Sequence, residues 1–445
     1  MTHWLYQLLL ACAYPLVRLR LKLRARREPA YGERVEERFG QVPDNIPSGV
    51  LWFHTVSAGE TIAAVGVIEQ LLLEAPDRPV LVTTMTPTGS QQVTQRLGDR
   101  VAHCYAPYDF PAAVGRFFAA VQPVALVLME TELWPNIVRT ANRLNVPVLL
   151  INGRLSARSA RGYARIAGLS RALFAGLTAV ACQTAAHRDR FVALGADPRR
   201  VQVAGSVKFD VRLPRHFDEE VAELKGLLGI DHTRPVWIAA STHPGEDEPV
   251  LDAFAALRVS HPTLCLLLVP RHPVRAPELI ALVQARGMTV VTQSACVGGH
   301  HHVTSPDVVV GDVMGSLLQL YGLAMVAFVG GSLVPVGGHN PIEPALCDVP
   351  VVSGPQQFNF TDVCEAMAEG GGLVTVHSAA ELTEAVDRWL SDDIARRQAA
   401  AAGSEVVLAN RGATDRVLAL VRAHLPAASP LPDAAEDSQL TDCSG

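Results

Sequence analysis

VLWFHTVSAGETIAAVGVIEQLLLEA, residues 50–75, holds one complete unit of the fold. VLWFHT (50–55) is short and apolar, with the bulky side chains that suit a strand. VSAGE (56–60) is a small polar turn, and TIAAVGVIEQLLLEA (61–75) has helical spacing. The next strand-like run, PVLVTT (79–84), follows at once. Outward from there the alternation continues through VAHCY (101–105), PVALVLME (123–130), VPVLLIN (147–152) and LTAVACQ (177–183). It lapses in the polar, Pro-containing GSVKFDVRLPRHFDEE (205–220). It restarts with PVWIAAS (235–241), TLCLLLVP (263–270), MTVVTQ (288–293), DVVVGD (307–312), MVAFVGG (325–331), VPVVSG (349–354) and GLVTVH (372–377). Short strands alternating with helices predict parallel sheets. The fold class is therefore α/β, with two doubly wound, Rossmann-like domains facing a cleft.

Composition supports a globular enzyme-sized chain. At 445 residues, with 49% apolar and 18% charged residues, general disorder and a fibrous class are excluded. The net charge of -6 argues against a protein that coats nucleic acid. Eight scattered cysteines form no CxxC pair, so free, mostly buried thiols are expected.

The ends carry opposite charge. Residues 1–27 hold six bases (Arg18, Arg20, Lys22, Arg24, Arg26, Arg27) and no acid, whereas 426–445 hold four acids and no base. Trp4 to Val17 is an uncharged run of fourteen residues, short of the ~20 that a spanning helix needs. An apolar plug followed by cations suits an anchor on an anionic, cytoplasmic membrane face. A core helix with a solvated basic end is the plainer alternative. On the anchor reading, removal of residues 1–27 leaves the body folded. The Pro/Ala-rich acidic tail is expected to be disordered.

The chemistry gathers where strands end, the edge on which open α/β sheets bind ligands. Glu60 closes VSAGE; MTPTGS follows the second strand; Glu130 and Glu132 sit in ETELWPN; Asn152, Gly153 and Arg154 follow the fifth. In the second half THPGEDE, PRHP, DVMGS and LVPVGGHNPIEPA occupy corresponding places. None matches GxxxxGK[ST] or GxGxxG, so neither a nucleotide triphosphatase nor an NAD enzyme is indicated. Glu60 reads equally as a general base or as an acid favoured by a helix N-terminus. One of Glu130 and Glu132 could be an active-site acid and the other structural. Lys208, in GSVKFD, is either a cation reaching an anionic substrate or a surface lysine. His300, His301 and His302 lie in a Gly-rich stretch with no evident scaffold, so no metal site is expected.

These motifs, WFHTVSAGE, TTMTPTGS, METELWPN, GRLSARSA, GSVKFD, STHPGEDE, VPRHP, VGDVMG and FVGGSLVPVGGHNPIEPA, resemble those of the 3-deoxy-D-manno-octulosonic acid (Kdo) transferases of lipopolysaccharide synthesis, which are GT-B glycosyltransferases. The resemblance runs from EPAYGERVEERFG (28–40) to about Asn410. It implies an inverting transfer of Kdo from CMP-Kdo to the 6'-hydroxyl of a tetraacylated lipid A precursor, without a metal or other cofactor, at the cytoplasmic face of the bacterial inner membrane. It further implies Glu60 as proton acceptor, and Glu130 and Lys208 as stabilisers of the transition state. Pro270 and Arg271, Met314, Gly315 and Ser316, and Asn340, Pro341, Ile342 and Glu343 match the CMP-binding segments. Ser316 departs from the family's usual glutamate, which puts a side-chain contact to the nucleotide in doubt. The expected division is a membrane anchor at 1–27, an acceptor domain at 28–210, a linker at 211–232, a CMP-sugar domain at 233–425 and the tail. The rivals are another GT-B enzyme, such as a UDP-sugar epimerase, and a non-catalytic scaffold that binds anionic lipid through residues 1–27.

Overall fold

The structure is a computed structural model and describes residues 2–211, 213–299 and 305–425. The acidic tail and His300 to His302 lie outside the described residues. The first sheet contains β1 (Leu51–His54), β2 (Val80–Thr84), β3 (Ala102–Tyr105), β4 (Ala125–Met129), β5 (Val148–Gly153), β6 (Ala179–Cys182) and β7 (Val201–Val203), in the order β3-β2-β1-β4-β5-β6-β7. The second contains β8 (Val236–Thr242), β9 (Cys265–Pro270), β10 (Val290–Thr292), β11 (Val308–Val310), β12 (Val326–Val329), β13 (Val351–Ser353) and β14 (Leu373–Thr375), in the order β10-β11-β9-β8-β12-β13-β14. All the described pairings are parallel. Every expected strand is present. β7 is new: three residues, two of them exposed, give no apolar pattern to read.

Parallel strands form here because helices cover both faces of each sheet. Side chains alternate between the two faces. Trp52, Leu126, Leu128 and Leu150 enter one core with Phe117 and Ile137, while Leu51, Phe53, Val127, Leu149 and Ile151 enter another with Val67 and Ile68. Burying the Trp52 indole requires a partner for its N–H, and Thr83 Oγ1 accepts it at 2.8 Å.

The compact units are not divided where the sequence suggested. One comprises the chain up to Val207 together with the chain from Gly412; the other is Lys208–Arg411. Residues 211–232, expected as a linker, include the helix Phe217–Leu227, which buries Phe217 and Leu224 within the second unit. The helix Ala413–Arg422, expected in the second domain, buries Val417, Leu418 and Val421 against Leu149 and Ile151 of the first. Burial of apolar side chains fixes both assignments, and turn-like composition gives no view of it.

The N-terminal segment is one helix, His3–Arg27, running through Pro15. Among the described residues no helix is long and apolar enough to cross a membrane. One side of this helix is docked on the first unit. Leu21 is buried with Tyr31, Phe39 and Phe110, and Leu10, Val17 and Ala25 pack on the same cluster. The Tyr6 hydroxyl donates to Asp109 Oδ2 at 2.7 Å, and the Asp109 carboxylate also accepts the amides of Asn136 and Ile137 at 2.9 and 3.0 Å. Gln7 donates to Asn136. The opposite side exposes Trp4, Leu8, Leu9, Leu16, Leu19 and Leu23. Residues 1–27 are therefore no detachable appendage: deleting them uncovers the Phe39 and Phe110 cluster and takes a donor from a half-buried carboxylate. Tyr6→Phe, which keeps the ring, is expected to lower unfolding stability by about 1.5–3 kcal/mol, the range for a hydrogen bond to a charged group. Urea titration of the full chain checks this, and a loss within error of zero would show the contact to be idle.

Candidate active site

Each sheet reverses its strand order beside its first strand, between β1 and β4 and between β8 and β12. At such switch points the loops part and leave a crevice. At the first, β1 runs into Ser57, the N-cap of the helix Ala58–Glu74. Ser57 Oγ accepts the Glu60 amide at 3.3 Å, and the Glu60 carboxylate takes the Val56 amide at 2.8 Å and the Ser57 hydroxyl at 2.9 Å. This is close to a capping box. Glu60 lies inside the first helical turn, so the helix-terminus reading of this residue is realised in the structure. Its carboxyl is also pushed up to about 8: burial contributes most and the charge of Glu132 next, while the Val56 amide opposes and Glu130 adds a smaller push.

Glu130 and Glu132 follow β4. Glu130 has a left-handed backbone (φ 51), which is uncommon for a non-glycine residue. Asn152, in β5, is fully buried with φ 51; its side chain accepts the Val207 amide at 3.3 Å and lies 3.5 Å from Glu130 Oε1. Glu132 accepts the Trp134 indole N–H at 3.0 Å, and burial, then Glu130, raises its carboxyl while that hydrogen bond lowers it. Trp134 in turn meets the buried His54 edge-on, with ring centroids 4.9 Å apart. Three carboxylates thus gather at one crevice, which disfavours ionising all of them together. Such a group can hold a carboxylate with unusual affinity for a proton, as a general base requires.

The second switch point is built on Glu246, fully buried in the loop after β8. Its carboxylate accepts four backbone amides: His243 at 2.9 Å, Gly331 at 2.7 Å, Ser332 at 3.0 Å and Leu333 at 2.9 Å. It therefore ties the loop after β8 to the loop after β12. His243 and His339 stack across this junction. Arg271, after β9, is held through its backbone amide to Thr242 O at 3.0 Å. Pro270 is buried at the end of β9.

The other expected residues lie at the same edge of the second sheet. Met314 is exposed, and Gly315 has φ +87 with open space around it, a backbone that a ligand could approach. Ser316 donates to Gln293 Oε1 at 3.0 Å or to Val313 O at 2.9 Å, so the shorter side chain is turned onto the protein. Asn340 accepts the Ile342 amide at 3.1 Å and donates to Glu343 Oε1 at 3.1 Å, which fixes the turn before the helix Ile342–Leu346. Pro341 stands at the cap of that helix, and Ile342 is buried in its core. Lys208 is half-buried, its ammonium 5.5 Å from the centre of the Phe360 ring. Sequence reasoning missed Glu246, His243 and His339. The available signal for Glu246 was the run of small residues in FVGGSL, whose amides lie outside helix and strand and need a buried acceptor. Among the described residues no group of three His, Cys, Asp or Glu side chains could hold a metal ion.

Two parallel α/β sheets with polar crevices at their switch points place the chain in the GT-B class of folds. A crystal structure of UDP-GlcNAc 2-epimerase from Neisseria meningitidis bound to UDP-GlcNAc matches 84% of this chain and 99% of that one with a TM-score of 0.55, at 13% identity. That likeness shows the fold alone. A family model described as 3-deoxy-D-manno-octulosonic-acid transferase (kdotransferase) matches residues 33–211. The 3-deoxy-D-manno-octulosonic acid transferase of Haemophilus influenzae is 37% identical over 96% of this chain and 99% of its own length; that of Bordetella pertussis is 36% identical over 94% and 98%. The chain belongs to the 3-deoxy-D-manno-octulosonic acid transferase family, glycosyltransferases of lipopolysaccharide synthesis. An epimerase and a scaffold are thereby set aside.

Glu246→Gln keeps the shape but replaces two acceptor oxygens by one oxygen and an N–H2 group that faces amide donors. It is expected to destabilise the protein by about 2–3 kcal/mol, the range for an unsatisfied buried polar group next to a lost charged hydrogen bond. Denaturant unfolding measures this directly. An unchanged midpoint would show that the four amides find other partners.

Proposed function

We propose that the protein transfers Kdo from CMP-Kdo to the 6'-hydroxyl of a tetraacylated lipid A precursor and releases CMP, at the cytoplasmic face of the bacterial inner membrane. The observation that carries the chemical part is Glu60: a buried carboxyl at a switch point, beside two further carboxylates, with its proton affinity raised to about 8. In a single displacement Glu60 takes the hydroxyl proton as the acceptor oxygen bonds to the anomeric carbon. The bond from that carbon to the phosphate oxygen breaks on the opposite face, and its electron pair leaves on CMP. Inversion follows from the one-step geometry. Glu130 suits the positive charge that develops on the sugar, and Lys208 the negative charge that develops on the phosphate. The nucleotide is assigned to Pro270 and Arg271, Met314 to Ser316, and Asn340 to Glu343. Here the Gly315 backbone can serve without the family's glutamate at position 316.

The membrane part rests on the N-terminal helix. Its solvent side combines exposed Trp4, Leu8, Leu16, Leu19 and Leu23 with exposed Arg20, Lys22, Arg26 and Arg27. Arg18 and Arg24 are exposed too, and lie over the rings of Phe39 and Tyr31 at 4.8 and 3.8 Å. A helix docked on one side and apolar on the other can lie in the plane of an interface without crossing it.

Glu60→Gln is expected to lower kcat about 10²–10⁴-fold, the usual contribution of a general base. In the parent enzyme log kcat/KM should rise with pH and level off above about 8, because only ionised Glu60 accepts the proton. The same shift has a sign for stability. A carboxyl whose folded pKa exceeds its unfolded value binds more protons in the folded state, so stability falls as pH rises from about 4.5 to about 8. Glu60→Gln removes this slope, and its melting temperature should gain on the parent's at alkaline pH. A variant that keeps more than half the parent's rate would rule out the base role.

Leu8→Asp with Leu16→Asp leaves the docked side untouched. Sedimentation with vesicles containing anionic phospholipid should fall severalfold for this variant. Neutralising Arg20, Lys22, Arg26 and Arg27 should weaken the same binding by about 1 kcal/mol per charge, less at high salt. Full retention of binding by both variants would place the membrane contact elsewhere.

A further inference from the structure

His243 and His339 carry no role in the transfer described above, yet they meet at the centre of the second sheet's ligand edge. His243 follows β8 and His339 follows β12, the two strands that flank the switch point. Their Nε2 atoms are 2.9 Å apart, and the rings are parallel to within 3°, with centroids 5.2 Å apart. Two imidazole nitrogens at that distance require an N–H on one and a lone pair on the other. The arrangement is built from below. Glu246 binds the His243 amide and the Gly331 amide through the same oxygen. Gly331 has φ +67, and a Cβ placed there would stand 2.9 Å from His339 Cδ2 and 3.5 Å from His243 Cδ2. Both rings remain only partly buried, so a ligand can reach their edges.

We propose that His243 and His339 are a proton-sharing donor pair for the phosphate of the sugar nucleotide, working beside Arg271. The inference rests on the assignment of the nucleotide to the second sheet and extends it to two residues and a task. When the bond between sugar and phosphate breaks, the phosphate monoester left behind gains a full negative charge. The pair answers by turning its N–H toward a phosphate oxygen and taking one proton from solvent, so that an imidazolium faces the dianion. Glu60 carries the acceptor's proton away separately, so atoms and charge balance.

The surroundings favour such a switch. Burial, followed by the neighbouring Arg271, holds His339 down to about 4, and burial lowers His243 as well. The charged groups around the pair are Arg271, Arg275, His272 and Glu246. Arg275 is engaged by Asp247 and Glu278, and Glu246 by its four amides. His272 lies perpendicular to His243 with centroids 6.2 Å apart. Without ligand the rings are neutral. An added dianion brings opposite charge to their exposed edges and would hold an extra proton on them.

Isothermal titration of the full chain with CMP near pH 7.5, in buffers of different ionisation enthalpy, reads the proton directly. CMP should bind with net proton uptake, and cytidine, which lacks the phosphate, should bind without it. His339→Gln keeps an N–H within reach but cannot be protonated. It should bind CMP roughly tenfold more weakly and without uptake, while its cytidine affinity stays unchanged. His339→Ala should lose more affinity than His339→Gln. Arg271→Ala should weaken CMP binding and keep the uptake. CMP binding by the parent with no buffer dependence would overturn the proposal, even if every variant failed to fold. So would uptake that persists in either His339→Gln or His243→Gln, since the proton would then not be shared by the pair. Failure of the parent to bind CMP at all would instead overturn the nucleotide assignment on which the proposal stands.

Discussion

In a parallel sheet all strands end on one edge, and only where the order reverses do neighbouring loops turn away from each other. The rest of the molecule depends on this constraint, and it applies once in each sheet. Crevices of this kind expose strand-end amides and collect polar side chains, and something must fix the loops that line them. In the second sheet the buried carboxylate of Glu246 does so, accepting four amides from two loops. In the first, the carboxylate of Glu60 accepts one amide and one hydroxyl and shares its surroundings with Glu130 and Glu132. The same functional group thus has opposite fates. Four donors spend the capacity of Glu246 on structure, whereas two donors and two neighbouring acids leave Glu60 with a raised appetite for a proton.

The capping and catalytic readings of Glu60 are therefore not competitors. A base must be held at a fixed angle, and the helix start supplies the hold through Ser57 and Val56. Burial and the acids of the loop after β4 supply the basicity. The electrostatic contrast between the two sheets follows the same division of labour. Acids collect at the first crevice, the place the proposed reaction assigns to deprotonation of the acceptor hydroxyl. Imidazoles and Arg271 collect at the second, the place the proposed reaction assigns to the anionic nucleotide.

The sheets were legible because each strand is a short apolar run bounded by turn residues, and β7 escaped because Gln202 and Val203 are exposed and carry no such signal. The positions of Glu60, Glu130 and Arg271 at strand ends were legible for the same reason. The clamp by Glu246 and the meeting of His243 with His339 were not. Each joins residues nearly ninety or more positions apart, through a strand order that local periodicity does not encode. The domain division failed on similar grounds. GSVKFDVRLPRHFDEE looks like a linker by composition, but whether the helix Phe217–Leu227, which begins within it, packs depends on partners elsewhere in the chain.

The N-terminal helix shows what apolar character alone leaves open. An uncharged run of fourteen residues is equally consistent with a core helix and a membrane contact, and here one helix has the features of both, on opposite sides. Residues at positions 6, 10, 17, 21 and 25 face the first unit, while 4, 8, 16, 19 and 23 face outward. Both sets recur at helical spacing, so no single apolar stripe marks the inside. The polar contacts break the tie. Tyr6 and Gln7 reach Asp109 and Asn136, and Asp109 binds the first amides of the helix Pro135–Arg143, which begins directly after the ETELW acids. A side of a helix that donates to a half-buried carboxylate is committed to the protein, because leaving that carboxylate short of a donor costs about as much as exposing a leucine, and here the packed leucines would be exposed as well. The uncommitted side is then the one available to a bilayer, and whatever holds it there also bears on the helix that carries the acid loop.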